Sequence, residues 1–462
     1  MTIDLDVTTL RTGFHGIVCT PGDPEYDEAR SIWNGAIDRR PALIARCGSA
    51  GDVAAAVRYA RETGLEIAVR GGGHSFSGAS VCDDGLMIDL SRLNEVTVDP
   101  VNRTAVCGGG AALADLDAAT QEHGLAVPAG TISHTGVAGL TLGGGFGWLT
   151  ARHGLSCDNL IGADVVLADG RLVRASATEN PDLFWAIRGG GGNFGIVTAF
   201  EFRLFPIGPM VNLGMFFFTL EQGADALRLA REIVPALPRS CGALVAALNA
   251  PPAPFVPEQH HFAPGFAILI AGFESPEEHA SLVAPIREAL PPLFEFVTPL
   301  PYAALQSMLD DSAPWGILGY EKAVYVDDLT EDVVNVIAGL VPSKASPMSL
   351  MPMFYLGGAF CDTGADDTAF GGDRNAKWVI NMAAVAPTPE LLEADRAWSR
   401  ALFDALLPHT SESGVYINFM AEYDADRVRA TYGPEKYARL AALKAQYDPE
   451  NLLHRNMNIK PA

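Results

Sequence analysis

The chain has 462 residues, 48% hydrophobic and 19% charged, a balance that excludes an extended disordered chain and, at this length, makes two packed cores the natural expectation. Its 32 Lys and Arg stand against 55 Asp and Glu, a formal charge of −23; such a surface repels phosphate backbones and argues against nucleic acid as a partner. Cys19, Cys47, Cys82, Cys107, Cys157, Cys241 and Cys361 are odd in number and form no CxxC pair, which argues against a disulfide framework or a zinc site and for a reducing cytoplasm; no metal is expected. Met1 to Leu10 lack the apolar centre of a secretory leader, and no apolar run approaches the length of a membrane span, so no membrane association is expected.

In chain order, Ile44 to Arg46 reads as a strand and Ser49 to Thr63 as a helix. Ser49 stands at its N-cap, Val53, Val57 and Ala60 lie on one face, and Gly64 ends it. Strands are expected at Leu65–Val69, Leu86–Leu90 and Thr104–Val106, with a helix from Ala112 to His123 ending at Gly124. Asp164 to Val173 reads as a hairpin turning at Asp169-Gly170. A short helix spans Asp182 to Arg188, and Gly189 to Phe205 runs from a glycine loop into a strand. Pro206 and Pro209 mark a shift to proline-containing loops, helices and longer strands such as Phe266–Ile270; the tail, Gly414 to Ile459, reads as a strand with helical pieces. This order predicts an α+β chain. Residues 1–207 form one domain, 208–411 an α/β second domain with an antiparallel sheet, and 412–462 a segment returning to the first.

Three glycine clusters, at Gly71–Gly73, Gly143–Gly147 and Gly189–Gly195, let backbone N–H groups approach an anion closely, as a dinucleotide pyrophosphate requires. None is the Rossmann fingerprint: no GxGxxG opens a helix after the first strand, and no acidic residue is placed for a ribose. One such loop is weak evidence, whereas three in one domain suggest a long cofactor threaded along it.

Four segments sharpen this: Arg70-Gly-Gly-Gly-His-Ser-Phe76, Thr135-Gly-Val-Ala-Gly-Leu-Thr-Leu-Gly-Gly-Gly-Phe-Gly147, Asp182 to Val197, and Tyr447-Asp-Pro-Glu-Asn-Leu-Leu453 with Asn456 to Ile459. In order and spacing they resemble the berberine bridge enzyme-like group of the vanillyl-alcohol oxidase superfamily, whose flavin sits in a PCMH-type FAD-binding domain. The resemblance implies FAD as cofactor, held by Arg70, Gly71, Gly72, Gly73, His74, Ser75 and Gly78, by Thr135, Gly136, Gly139 and Gly143, by Gly195, Ile196 and Val197, and by Asn418, Asn456 and Asn458. It implies a covalent bond from His74 to the flavin 8α carbon, which suits a neutral imidazole. The cysteine that gives some relatives a second link is replaced by Ile132, and Cys157 lies in the wrong place, so a single link is expected.

The resemblance also sets Thr135 against the reactive flavin edge, where a modest side chain favours an oxidase using O2. Tyr416 of Tyr416-Ile417-Asn418 is then a candidate base or hydrogen-bond partner, and Asn418 a flavin or substrate contact. A free tyrosine ionises near pH 10, so Tyr416 needs a nearby cation; Lys322, on the Tyr320-Glu321-Lys322 strand that resembles another family segment, is the expected source, with Tyr320 beside it. Gly357 to Cys361 departs from relatives that carry Lys, Gln or Glu there, which suggests a small, fairly apolar alcohol, amine or phenolic substrate. A dehydrogenase or oxygenase on the same scaffold and a non-catalytic flavin- or ligand-sequestering protein are the alternatives.

Overall fold

The computed structural model describes residues 7–410, 414–422 and 424–462. A four-stranded sheet holds β1 (Ile17–Cys19), β2 (Leu43–Arg46), β3 (Ile67–Arg70) and β4 (Leu86–Asp89) in the order β1-β2-β4-β3. The central pairs are parallel, and β2 and β4 bury Leu43 to Ala45 and Leu86 to Ile88 on both faces, as parallel strands under helical cover require. The crossover helix Ala50–Thr63 begins where Ser49 accepts the Asp52 N–H at 3.1 Å and stops at Gly64, φ +70°. It buries Val53, Val57 and Ala60.

The second sheet is antiparallel and runs β5-β6-β10-β8-β9. Its strands are β5 (Val96–Asp99), β6 (Thr104–Gly108), β8 (Leu160–Val166), β9 (Leu172–Ser176) and β10 (Ile196–Arg203), and a short pair joins β7 (Leu125–Ala126) to β11 (Phe205–Pro206). The hairpin β8–β9 turns at Gly170, φ +81°. Leu183, Trp185 and Phe200 share a core with Val428, Tyr432, Leu440 and Leu443 of the C-terminal helices.

Seven antiparallel strands make the third sheet: β12 (Met210–Thr219), β13 (Cys241–Asn249), β14 (Pro264–Gly272), β15 (Phe294–Pro301), β16 (Leu318–Val326), β17 (Met351–Leu356) and β18 (Lys377–Ala386). Their order is β15-β12-β14-β13-β17-β18-β16. The two-residue period sorts the side chains. Phe216, Ile268, Val324 and Ile380 pack under the helices Gly223–Ile233, Glu331–Leu340 and Pro389–Leu406. Phe217, Leu269, Phe354 and Val379 face the other way, toward Phe146, Trp148 and Tyr416.

Two segments are not strands. Tyr416-Ile417-Asn418 is a single 3-10 turn, closed by the Phe419 N–H donating to the Tyr416 carbonyl at 3.1 Å, and the described part of the tail holds the helices Ala425–Tyr432 and Pro434–Tyr447 but no strand. Gly357–Cys361 leaves the sheet after β17 for the 3-10 helix Gly358–Asp362. Gly358, φ +62°, there passes so near the Ala151 carbonyl that a Cβ would lie 2.3 Å from it. The domain boundary expected at residue 411 lies outside the described residues.

Candidate active site

A cavity of about 460 Å³ opens between the glycine loops and the inner face of the third sheet. The first loop leaves β3 at Arg70 and crosses the second backbone on backbone: a Cβ on Gly72 would stand 2.3 Å from the Gly136 Cα. That contact fixes the path by which the chain delivers its next side chains. His74 enters the cavity with its ring stacked on Trp33, centroids 4.7 Å apart and planes 19° apart. Its Nε2 lies 2.7 Å from Nδ1 of His134, so the two rings share one proton between them. Among the described residues no hydrogen bond engages His74 Nδ1. Burial, helped by the adjacent His134, pulls the His74 pKa down to about 3, which leaves a neutral ring with an available lone pair at neutral pH.

The second loop supplies Thr135 and Gly136, then the helix Val137–Leu142 with Gly139 on the cavity wall, then Gly143. A Cβ on Gly143 would fall 2.1 Å from Asn418 Oδ1. Asn418 is fixed by donating from Nδ2 to the Leu140 carbonyl at 3.1 Å and to Tyr416 Oη at 2.9 Å. Tyr416 Oη also accepts from the Gly145 N–H at 3.1 Å. Burial drives the Tyr416 phenol well above its ordinary range, only partly offset by these two donors. Tyr416 thus stands in the cavity wall as the hydrogen-bond partner of Gly145 and Asn418, its phenol kept neutral by burial.

The third loop is tied down from the C-terminus. Asn193 donates to the carbonyls of Gly190 and Met457, accepts the Ile459 N–H at 3.1 Å, and receives Lys444 Nζ on its own carbonyl at 2.8 Å. Lys444 is fully buried and also donates to Asp448 at 2.6 Å and to the Leu453 carbonyl, while Asp448 accepts the Leu452 and Leu453 N–H groups. The Tyr447-to-Leu453 motif is thus the clasp of the loop.

Of the sequence-derived residues, Gly71, Gly72, Gly73, His74, Ser75, Thr135, Gly136, Gly139, Gly143, Ile196, Val197, Tyr416, Asn418 and Asn456 line the cavity together. Others stand behind its wall. Arg70 donates to the Ala29 carbonyl, and the Gly78 carbonyl accepts from Arg39. Gly195, φ +156°, backs onto Val165, and Asn458 is not among the lining residues.

Tyr320 and Lys322 are corrected more sharply. They share the helix-facing side of β16 with Val324 and Val326. The Tyr320 hydroxyl meets Glu422 and Arg400, and the Lys322 ammonium lies over the Phe403 ring at 4.6 Å, so neither can support Tyr416. Ala359 and Cys361 are likewise off the cavity. Ile132 lines the wall where a second linking cysteine would stand. Cys157 does not line it, and burial together with Asp158 pushes its thiol upward, away from the thiolate that a link would need.

Sequence reasoning missed His134 and, on the opposite wall, Glu321. Strand alternation was the available signal: with Val324 and Val326 against the helices, Glu321 must point inward. It is 1% exposed and accepts from Asn381 Nδ2 at 3.0 Å. Burial raises its carboxyl well above the usual range.

These residues fit a flavin dinucleotide: glycine contacts that any Cβ would fill, and a neutral imidazole with one nitrogen held and the other open. The comparisons agree. A "FAD binding domain" family model matches residues 41–176 and a "Berberine and berberine like" model residues 415–460. The chain is 32% identical to (R)-6-hydroxynicotine oxidase of Paenarthrobacter nicotinovorans, over 96% of this chain and 97% of that one. It is 30% identical to a FAD-linked oxidoreductase of Dictyostelium discoideum over 96% and 95%. Among solved structures, 6-hydroxy-D-nicotine oxidase from Arthrobacter nicotinovorans superposes with a TM-score of 0.85 at 31% identity, covering 97% and 98% of the two chains. Glucooligosaccharide oxidase from Acremonium strictum, described with a 6-S-cysteinyl, 8α-N1-histidyl FAD, superposes with a TM-score of 0.85 at 25% identity over 98% and 99%. Cofactor, fold and chain-long similarity converge: this protein is an FAD-dependent oxidoreductase, and it belongs to the berberine bridge enzyme-like family of the vanillyl-alcohol oxidase superfamily.

Proposed function

We propose that the protein is an oxidase that carries FAD on a single covalent bond through His74, takes a hydride from a small, largely apolar alcohol, amine or phenolic substrate, and passes the electrons to O2. The observation that carries this reading is the His74 ring, neutral, stacked on Trp33 and held at Nε2 by His134, with Nδ1 left over. Bound FAD supplies the hydride acceptor. The chain supplies the rest: Thr135 and Asn418 on the glycine-loop wall, Ile132 in place of a second nucleophile, and an apolar surface from Phe354, Met420 and Val385 that excludes water from the reacting carbon. Thr135, of modest size, supports O2 as the acceptor. The cytoplasm is the compartment we propose, and the seven unpaired cysteines support it.

Anaerobic mixing of the yellow protein with a panel of alcohols, amines and phenols, then with air, tests the reading. Bleaching by a panel member and prompt recovery with release of hydrogen peroxide is the expected course. Recovery only with an artificial dye would make the protein a dehydrogenase. No bleaching by any member would favour a flavin- or ligand-sequestering role.

A further inference from the structure

The wall opposite the glycine loops is apolar except at one point. Leu350, Pro352, Phe354, Ala383 and Val385 surround Glu321 and Asn381, which lie diagonally across the β16–β18 pair, where Glu321 opposes Ala383 and Ala323 opposes Asn381. Asn381 is 4% exposed and Glu321 1%. Their mutual bond uses Asn381 Nδ2 and Glu321 Oε2, and leaves Glu321 Oε1 and Asn381 Oδ1 buried without a partner. Among the described residues no Lys or Arg pairs with this carboxyl; the neighbouring cations Lys322 and Arg400 sit beyond the strand, on its helix face.

Once the carboxyl is ionised, these are two adjacent buried acceptors facing a cavity, and they are costly unless a ligand brings donors to both. A hydroxyl carries one donor and satisfies one of them. An amine carries a second N–H when primary or protonated, and as an ammonium it also brings the charge that a buried carboxylate lacks. Phe354 and Phe419 line the same cavity.

We propose that Glu321 and Asn381 are the anchor for the nitrogen of an amine substrate, so that the enzyme selects amines over alcohols and phenols of the same shape. The inference rests on the oxidase reading and deepens it by naming the substrate class. A carboxyl that burial keeps protonated in the empty site can hand its proton to an arriving amine, forming an ion pair that satisfies both, and takes it back to free the nitrogen lone pair before a hydride leaves the adjacent carbon.

The test uses the flavin-loaded enzyme under anaerobic conditions. Spectral perturbation of the flavin, read before any reduction bleaches it, reports the binding of benzylamine, N-methylbenzylamine and benzyl alcohol. The wild type is expected to bind the amines on the order of 10- to 100-fold more tightly than the alcohol, the range of a charge-assisted buried hydrogen bond. Glu321→Gln, nearly the same in shape, should abolish that preference, bringing the ratio of amine to alcohol affinity close to one. Asn381→Leu should narrow it, and gives a second route if the first variant loses flavin. Equal binding of alcohol and amines, no binding of any probe, or an amine preference that survives in Glu321→Gln would each overturn the anchor. Glu321-dependent amine binding with no flavin reduction would instead keep the anchor and sink the oxidase.

Discussion

Replacing Lys444 by methionine is the sharpest test of how the C-terminal segment holds the flavin cradle. The ammonium is fully buried and spends its three protons on the Asn193 carbonyl, Asp448 and the Leu453 carbonyl, at 2.8, 2.6 and 2.9 Å. Burial alone pulls the amine below its ordinary range, and Asp448 opposes that pull. Methionine fills the space but strands a carboxylate with only the Leu452 and Leu453 N–H groups. Breaking a buried pair from one side costs ~3–5 kcal/mol, so Lys444→Met should lose about 4 kcal/mol. Lys444→Met/Asp448→Asn should recover much of this, because the stranded charge is gone. Urea unfolding, monitored by tryptophan fluorescence and far-ultraviolet circular dichroism, measures both. The single variant should also perturb the flavin spectrum, since Asn193 belongs to the third glycine loop. A loss under ~1 kcal/mol, or a double variant no better than the single, would refute the clasp.

The geometry sets three further outcomes. Asp117 is 3% exposed and accepts from Gln306 Nε2 at 3.1 Å, and burial pushes its carboxyl up to about 7 against about 3.9 unfolded. The folded state holds this proton more tightly, so the group's stabilising contribution is complete below pH ~4 and lost as pH rises through about 7. Asp117→Asn should therefore be the more stable protein at pH 8, by up to ~4 kcal/mol, with the difference vanishing toward pH 4 in thermal or urea melts. Tyr416→Phe strips an acceptor from Gly145 N and Asn418 Nδ2 and should cost ~1–3 kcal/mol, while the pH profile of flavin reduction keeps its shape; a lost ionisation would restore Tyr416 as a base. Gly72→Ala forces a Cβ to 2.3 Å from the Gly136 Cα, and should abolish flavin incorporation, read as the ratio of flavin to protein absorbance.

What the sequence disclosed was what local chemistry decides. Ser49 and Gly64 mark both ends of their helix, Asp169-Gly170 marks its turn, and His74 stands out because three glycines deliver it. The losses came where partners distant in sequence decide. Tyr320 and Lys322 lie on a true strand, but which face of β16 meets the helices and which the cavity is set by the packing of Val324 and Val326. Glu321 follows from that alternation only once the helix-facing side is known, and its meaning appears only when β18 brings Asn381 beside it. Tyr416 is near the cavity as expected, yet its turn conformation and its two donors depend on Gly145 and Asn418. His134 carries no motif of its own; only the crossing of the first two glycine loops puts it against His74.

Acid precipitation of the purified holoprotein, with a denaturing gel viewed under ultraviolet light, tests the central claim most directly. The account predicts a yellow pellet and a fluorescent band for the wild type and for Cys157→Ala, and a white pellet with free flavin in the supernatant for His74→Ala. A white wild-type pellet, or a His74→Ala pellet that stays yellow, would contradict it.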